Sequence, residues 1–229
     1  MDAVHGAALS IDAKRARLLE IIKQRSLRFG DFVLRSGKRS NFFLDGKGTT
    51  LSAEGAALVG EVLFDAIRDL DVDAVGGLTL GADPIATAVS VESWRQGKPI
   101  DAFIVRKETK DHGMGDLIAG TLKPASRVVI VEDTVTTGSA IQAAIDAVRA
   151  AGHTVVKVIA IVDRRAGASE TFARQGLDYG WIFTLEDLGV QQALDDFPAE
   201  FAEEQRRNAE ELKALRLPAD VEPPTIFRP

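Results

Sequence analysis

The residues best suited to chemistry lie in one run, Val128-Val129-Ile130-Val131-Glu132-Asp133-Thr134-Val135-Thr136-Thr137-Gly138-Ser139-Ala140. An apolar strand runs into two acids. A loop of small hydroxyl residues and glycine follows, and a helix begins near Ser139. Such a loop, between a strand's carboxyl end and a helix N-terminus, can hold a phosphate, because free backbone N–H groups and the helix dipole point at it. Gly138 lets the backbone approach closely, and Thr134, Thr136, Thr137 and Ser139 add hydroxyl donors. Glu132 and Asp133, just ahead of the loop, can accept hydrogen bonds from sugar hydroxyls. The run lacks the Gly-Lys-Ser/Thr ending of a nucleoside-triphosphate loop and is not Gly-x-Gly-x-x-Gly. Thr-Thr-Gly-Ser alone marks no more than a capped helix; the apolar strand and acid pair attached to it make it a candidate ligand loop.

A second run, Arg106-Lys107-Glu108-Thr109-Lys110-Asp111-His112-Gly113-Met114-Gly115, follows another strand. A charge run is ordinarily a solvated surface. Here the cations Arg106, Lys107 and Lys110 cluster with His112 in an otherwise acidic chain, which suits a specific anion. Gly113 and Gly115 would let the loop swing.

These runs need elements to hold them. Ala13 to Arg25 reads as a helix, with Leu18, Leu19, Ile21 and Ile22 as its apolar stripe. Phe29 to Leu44 reads as short strands with a turn at Ser36-Gly37-Lys38. Ala53 to Leu70 is a second helix, capped by Ser52. Strands at Ala74 to Leu78, Asp101 to Arg106, Arg127 to Val131, Thr154 to Val162 and Gly180 to Leu185 then alternate with helices at Pro84 to Gln96 and Ser139 to Ala151, the latter ending at Gly152. Near-continuous apolar strands alternating with helices imply a parallel sheet covered on both faces, with ligands outside the carboxyl ends of its strands. Ala199 to Leu215 reads as an exposed helix and Leu217 to Pro229 as an extended Pro-rich tail. Trp94 and Trp181 read as packing residues. The organisation expected is an N-terminal helix and hood (1–52), a core (53–190) and a C-terminal helix and tail (191–229).

The bulk properties exclude several classes. With 229 residues, 45% hydrophobic and 27% charged, the chain can bury a full core. A net charge of −6 and a pI near 5.2 disfavour a general nucleic-acid binder. The absence of cysteine removes disulfides, thiolate catalysis and Cys-based zinc sites, and fits a reducing cytoplasm. The first dozen residues show no secretory signal, and no apolar run is long enough to span a bilayer.

The run from Val128 to Ala140 resembles the binding signature of type I phosphoribosyltransferases for 5-phosphoribosyl-1-pyrophosphate (PRPP). The resemblance implies that family's fold: a central parallel sheet flanked by helices, a small N-terminal hood and here a C-terminal helical extension. It also implies that Glu132 and Asp133 bind the ribose hydroxyls and that Thr134, Val135, Thr136, Thr137, Gly138, Ser139 and Ala140 bind the 5-phosphate. The Arg-Lys-x-x-Lys-Asp-His-Gly pattern from Arg106 resembles the catalytic loop of orotate phosphoribosyltransferases. In that family the loop closes over the site of the neighbouring subunit of a homodimer. Arg106, Lys110 and His112 are thereby implied to contact pyrophosphate oxygens, with Lys107 acting from its own or the partner subunit.

Phe29 to Phe43 is similar to the same family's hood, through the Ser-Gly-Lys-x-Ser-x-Phe-Phe pattern. The resemblance implies Phe42 and Phe43 against the orotate ring, although adjacent aromatics are more often core. Arg35 matches a lysine that reaches PRPP. Arg164, in Ile161-Val162-Asp163-Arg164-Arg165, matches the arginine that holds orotate, and Thr136 is implied to touch the base. A guanidinium suits a carboxylate because it binds in a bidentate fork; Arg165 competes for that role. In Gly76 to Pro84 the chain departs from the pattern. Leu80-Gly81 stands where many members carry Tyr-Lys, so backbone N–H groups from Thr79 to Ala82 are left to serve. Asp83 is placed to position magnesium through water; the ion is expected to arrive with PRPP, with no direct protein ligand. Two other functions stay open. A phosphoribosyltransferase for a purine or uracil is opposed by the Lys-Asp-His-Gly loop and the Asp-Arg strand end. A PRPP-sensing regulator should lack the basic loop or carry a nucleic-acid surface.

Overall fold

The computed structural model describes residues 9–33, 39–108 and 117–190. The turn at 36–38, most of the basic loop and the C-terminal helix and tail lie outside the described residues. The chain divides into two compact units. One is Leu44–Leu188 together with the chain up to Leu27; the other is Arg28–Phe43 together with the chain from Gly189.

In the larger unit, α1 (Ile11–Arg25) starts two residues earlier than expected, because Ser10 Oγ accepts the Ala13 N–H at 3.2 Å and caps the first turn. It buries Leu18, Ile21 and Ile22, while Leu19 is half-buried. β1 (Leu27–Val33) and β2 (Arg39–Leu44) pair as a two-stranded sheet, largely in the smaller unit. There the Phe32 and Phe43 rings lie 5.6 Å apart.

A single turn of helix, α2 (Lys47–Thr50), and then α3 (Ala53–Ile67) follow. Ser52 caps α3 through the Gly55 N–H, as its position predicts. The alternating core comes next: β3 (Ala74–Leu78), α4 (Ala82–Arg95), β4 (Asp101–Val105), β5 (Ile118–Ala119), β6 (Arg127–Val135), α5 (Ser139–Ala150), β7 (Thr154–Asp163), α6 (Ala168–Ala173) and β8 (Asp178–Thr184). These strands form one six-stranded sheet in the order β5-β4-β3-β6-β7-β8. All neighbours are parallel except β5, which runs antiparallel to β4. Val128, Ile130, Val158 and Ala160 pack with Ile141, Ile145 and Val148 of α5 in one buried cluster. α4 packs on β3, β4 and β6, with α3 against it.

Three departures from the sequence expectation matter. First, β6 does not stop at Val131. Its ladder to β7 continues through Glu132, Thr134 and Val135, paired with Ala160, Val162 and Asp163. Hydropathy ends before the backbone pairing does, so the acids stand on a strand rather than ahead of a loop. Second, α2, β5 and α6 are too short to show a period. Third, Trp94 is 75% exposed, so it is not a packing residue within the described chain.

Candidate active site

The strand order places the site. β3 is followed outward by β4, and the chain returns to β6 on the other side of β3. Loops leaving β3 and β6 therefore diverge, and ligands in open α/β sheets bind at such a switch point. The carboxyl ends of four adjacent strands here carry, in order, Arg106 (β4), the Thr79–Gly81 loop (β3), the Thr136–Gly138 loop (β6) and Arg164 (β7). Hydrogen bonds tie neighbouring ends together. Thr79 N–H donates to Val105 O at 2.9 Å, and Arg164 N–H donates to Val135 O at 2.9 Å.

The loop after β6 has the form expected of an anion cradle. Thr136, Thr137, Ser139 and Ala140 are exposed, while Gly138 is buried with φ 86°. That left-handed conformation suits glycine. A Cβ there would also lie 2.6 Å from the Phe172 ring. Gly138 stands at the N-terminus of α5 with no side-chain cap, so the first-turn N–H groups are not taken by a capping side chain. Glu132 and residues 134–141 line a recess of about 130 Å³ there. Thr134 Oγ1 is buried with no hydrogen-bond partner among the described residues. Val135 is buried in the core, so only its backbone faces the loop.

Glu132 and Asp133 are 7% and 8% exposed. Glu132 Oε1 accepts the Asp133 N–H at 3.3 Å, and Asp133 Oδ1 accepts the Thr134 N–H at 2.7 Å. Burial, and then the negative charge of Asp133, push the Glu132 carboxyl up to about 8. Two backbone segments press on this pair. A Cβ on Gly81 would overlap Glu132 Oε1 and lie 3.2 Å from Asp133 Oδ1. A Cβ on Gly46 would lie 2.6 Å from Asp133 Cβ and 2.7 Å from its Oδ2.

The β3 loop contains a cis Thr79–Leu80 peptide. Thr79 Oγ1 donates to Asp83 Oδ2 at 2.7 Å, and Asp83 Oδ1 is buried without a partner among the described residues.

The Gly46 contact brings in a residue that motif reading passed over. Lys47 Nζ lies 2.6 Å from Asp45 Oδ1 and 3.8 Å from Asp133 Oδ2. Partial burial works against its charge, but the hydrogen bond to Asp45 and the charges of Asp133, Asp45 and Glu132 outweigh it, and its pKa is raised. The sequence signal was the Asp45-Gly46-Lys47-Gly48 cluster, a short polar break between two apolar runs.

The structure also separates the two arginines after β7. Arg165 has φ 55°, its N–H donates to Asp163 Oδ1 at 2.7 Å, and its guanidinium lies 4.5 Å from the Trp181 ring centroid. Arg164 is half-buried, and burial lowers its pKa while it stays cationic. Arg106 is half-buried and Lys107 exposed. Phe42 and Phe43 are half-buried, and Ser40 Oγ donates to Phe42 O at 2.7 Å. Arg35, Lys110 and His112 lie outside the described residues.

A parallel sheet with this switch point, an acid pair on the central strand and an anion loop behind it define a phosphoribosyltransferase. The family model "Phosphoribosyl transferase domain" matches residues 54–191. An orotate phosphoribosyltransferase of Corynebacterium glutamicum is 46% identical over 182 residues, covering 79% of this chain and 97% of the relative. One of Rhodopseudomonas palustris is 46% identical over 184 residues, covering 79% and 98%. The crystal structure of Mycobacterium tuberculosis orotate phosphoribosyltransferase with Fe(III) dicitrate superposes with a TM-score of 0.71 at 43% identity, covering 77% of this chain and 99% of that one. Its complex with PRPP gives a TM-score of 0.66 at 40% identity, with the same coverage. The chain belongs to the orotate phosphoribosyltransferase family.

Proposed function

We propose that the chain transfers the phosphoribosyl group of PRPP to orotate, giving orotidine 5′-monophosphate and pyrophosphate, a step of pyrimidine biosynthesis in the cytoplasm. The observation that carries this is the meeting of the Glu132–Asp133 pair, the uncapped loop at α5 and Arg164 at adjacent strand ends. Thr134 to Ala140 hold the 5-phosphate through backbone N–H and hydroxyl groups. The acid pair receives the ribose 2- and 3-hydroxyls. Arg164 grips the orotate carboxylate, with Thr136, Phe42 and Phe43 on the base. Arg35 reaches PRPP from the hood.

Breaking the anomeric C–O bond builds positive charge on the ribose and negative charge on the departing pyrophosphate. Arg106, Lys107, Lys110 and His112 meet that negative charge, which is where catalytic interactions must strengthen. His112 is placed to donate a proton to the leaving group. Closure of the loop excludes water that would otherwise hydrolyse the activated sugar.

Magnesium comes with PRPP and neutralises pyrophosphate charge. Asp83 suits it through water, because its buried Oδ1 still needs a hydrogen-bond donor. The ion would be held mainly by substrate oxygens. The basic loop acts across a homodimer. Leu51, Leu80, Val91 and Trp94 support association, being large apolar side chains left more than half exposed on the described chain.

The test follows orotate absorbance with purified protein, PRPP and magnesium, against controls lacking each. Loss of signal with pyrophosphate release in the complete mixture is the expected result. PRPP binding without conversion would reassign the chain to another base or to a regulator.

A further inference from the structure

We propose that Lys47 is a binding residue for the pyrophosphate of PRPP, its ammonium meeting the leaving-group oxygens beside the sugar hydroxyl that Asp133 receives. This rests on the proposed phosphoribosyl transfer and adds a cation to the pyrophosphate side of its site, from the segment before α3.

The position of Lys47 is set by close packing on both sides. Gly46 brings the backbone against the Asp133 side chain, and a Cβ on Gly48 would overlap the Arg25 carbonyl oxygen. The Lys47 N–H donates to Asp45 Oδ1 at 3.1 Å, closing a tight turn that aims the residue at the acids. Two carboxylates, at 2.6 and 3.8 Å, flank the ammonium. An ammonium carries three donors, so capacity remains for a ligand oxygen.

That remaining capacity borders space. Lys47, Leu80 and Asp83 line one cavity of about 620 Å³, which continues along α4 past Thr87. The two sides of Asp133 are divided between the two flanking segments. The Gly81 backbone approaches Oδ1, while Gly46 and Lys47 approach Oδ2. The β3 loop thus brings backbone groups but no cation, since residue 81 has no side chain. In PRPP the pyrophosphate is on C1 and the adjacent hydroxyl on C2. The acid pair receives the 2- and 3-hydroxyls, so a cation beside either acid stands within two ring carbons of the leaving group. The Lys47–Asp45 pair is 42% and 38% exposed, and exposed pairs of this kind contribute little. The raised pKa keeps Lys47 charged throughout the neutral range.

The experiment compares Lys47→Met and Lys47→Arg with the unaltered protein in steady-state orotate conversion. The KM for PRPP and the inhibition constant of inorganic pyrophosphate are each expected to rise at least about tenfold in Lys47→Met, as for a lost hydrogen bond to a charged group. The KM for orotate stays within about twofold, and Lys47→Arg recovers most of the loss. Unchanged PRPP and pyrophosphate constants, or a loss shared equally by both substrates and not recovered by arginine, overturn the assignment. A second measurement needs no variant. Acetic anhydride labelling of the unaltered protein, read by peptide mass, is expected to fall at Lys47 when PRPP and magnesium are present, with Lys98 and Lys157 unchanged. Equal labelling of Lys47 overturns the proposal. If the unaltered protein fails to convert orotate, the proposed reaction fails, and the labelling still decides the role of Lys47.

Discussion

The backbone at Gly81 lies against the Glu132 carboxylate so closely that a single added methyl would overlap Oε1. The far end of the glutamate side chain is what must move, because the rest of Glu132 is held in the β6–β7 ladder. Gly81→Ala is therefore expected to raise the KM for PRPP about tenfold by displacing an acceptor of a sugar hydroxyl. Gly81→Lys, although it restores a residue common in the family, should be worse rather than better. Steady-state kinetics at varied PRPP measures both, and a Gly81→Lys variant with improved PRPP affinity would contradict the packing argument.

Glu132 makes the unliganded protein sensitive to pH. Its folded-state pKa of about 8 stands above the ordinary 4.5. Below the ordinary value both folded and unfolded chains hold the proton, and the stability is fully present. Between the two values the unfolded chain releases the proton and the folded chain keeps it. Stability therefore falls as pH rises through this window, by at most about 1.4 kcal/mol per pH unit, and levels off above the folded value. Thermal midpoints from pH 5 to 9 should show the decline, and Glu132→Gln should flatten it. The charges facing Glu132 are Asp133, which raises its pKa, and Lys47, which lowers it.

Lys110→Ala is expected to lose most of the turnover while PRPP binding survives. A donor that acts chiefly on transition-state charge is worth about 10²- to 10³-fold in kcat. Single-turnover kinetics and calorimetric PRPP binding separate the two effects, and near-normal turnover would remove the loop assignment.

The two arginines after β7 should part company. Arg164→Ala is expected to raise the KM for orotate about 10- to 100-fold, with little change for PRPP, and Arg164→Lys should recover only part because a lysine cannot form the fork. Arg165→Ala should leave both constants near their starting values and lower stability by about 0.5–1 kcal/mol through the lost stacking on Trp181. Parallel kinetics and thermal denaturation of the three variants check this.

Much of the molecule can be read along the chain because its signals are local. β3 is apolar with flanking breakers and has the expected limits, Ala74–Leu78. The Ser52 cap and the left-handed Gly152 after α5 are likewise properties of a few adjacent residues. The nature of the Val128 to Ala140 run is similarly local, since strand, acids, hydroxyls and glycine are consecutive. The β6 limit was not local. Glu132 to Val135 stay extended because β7 pairs with them, and pairing partners are not encoded in the run itself.

By itself, then, the sequence determined the alternation of elements, the anion loop and the family resemblance, because periodicity, capping and consecutive motifs depend on neighbours along the chain. Only the tertiary structure decided which carboxyl ends stand side by side. It set β3 against β6, put Gly46 and Gly81 on opposite oxygens of Asp133, brought Lys47 to that acid, and turned Arg165 onto Trp181 while leaving Arg164 half-buried. Each of those relations joins residues distant in sequence or turns on the packing around them. They follow from strand order and close packing, which no local pattern specifies.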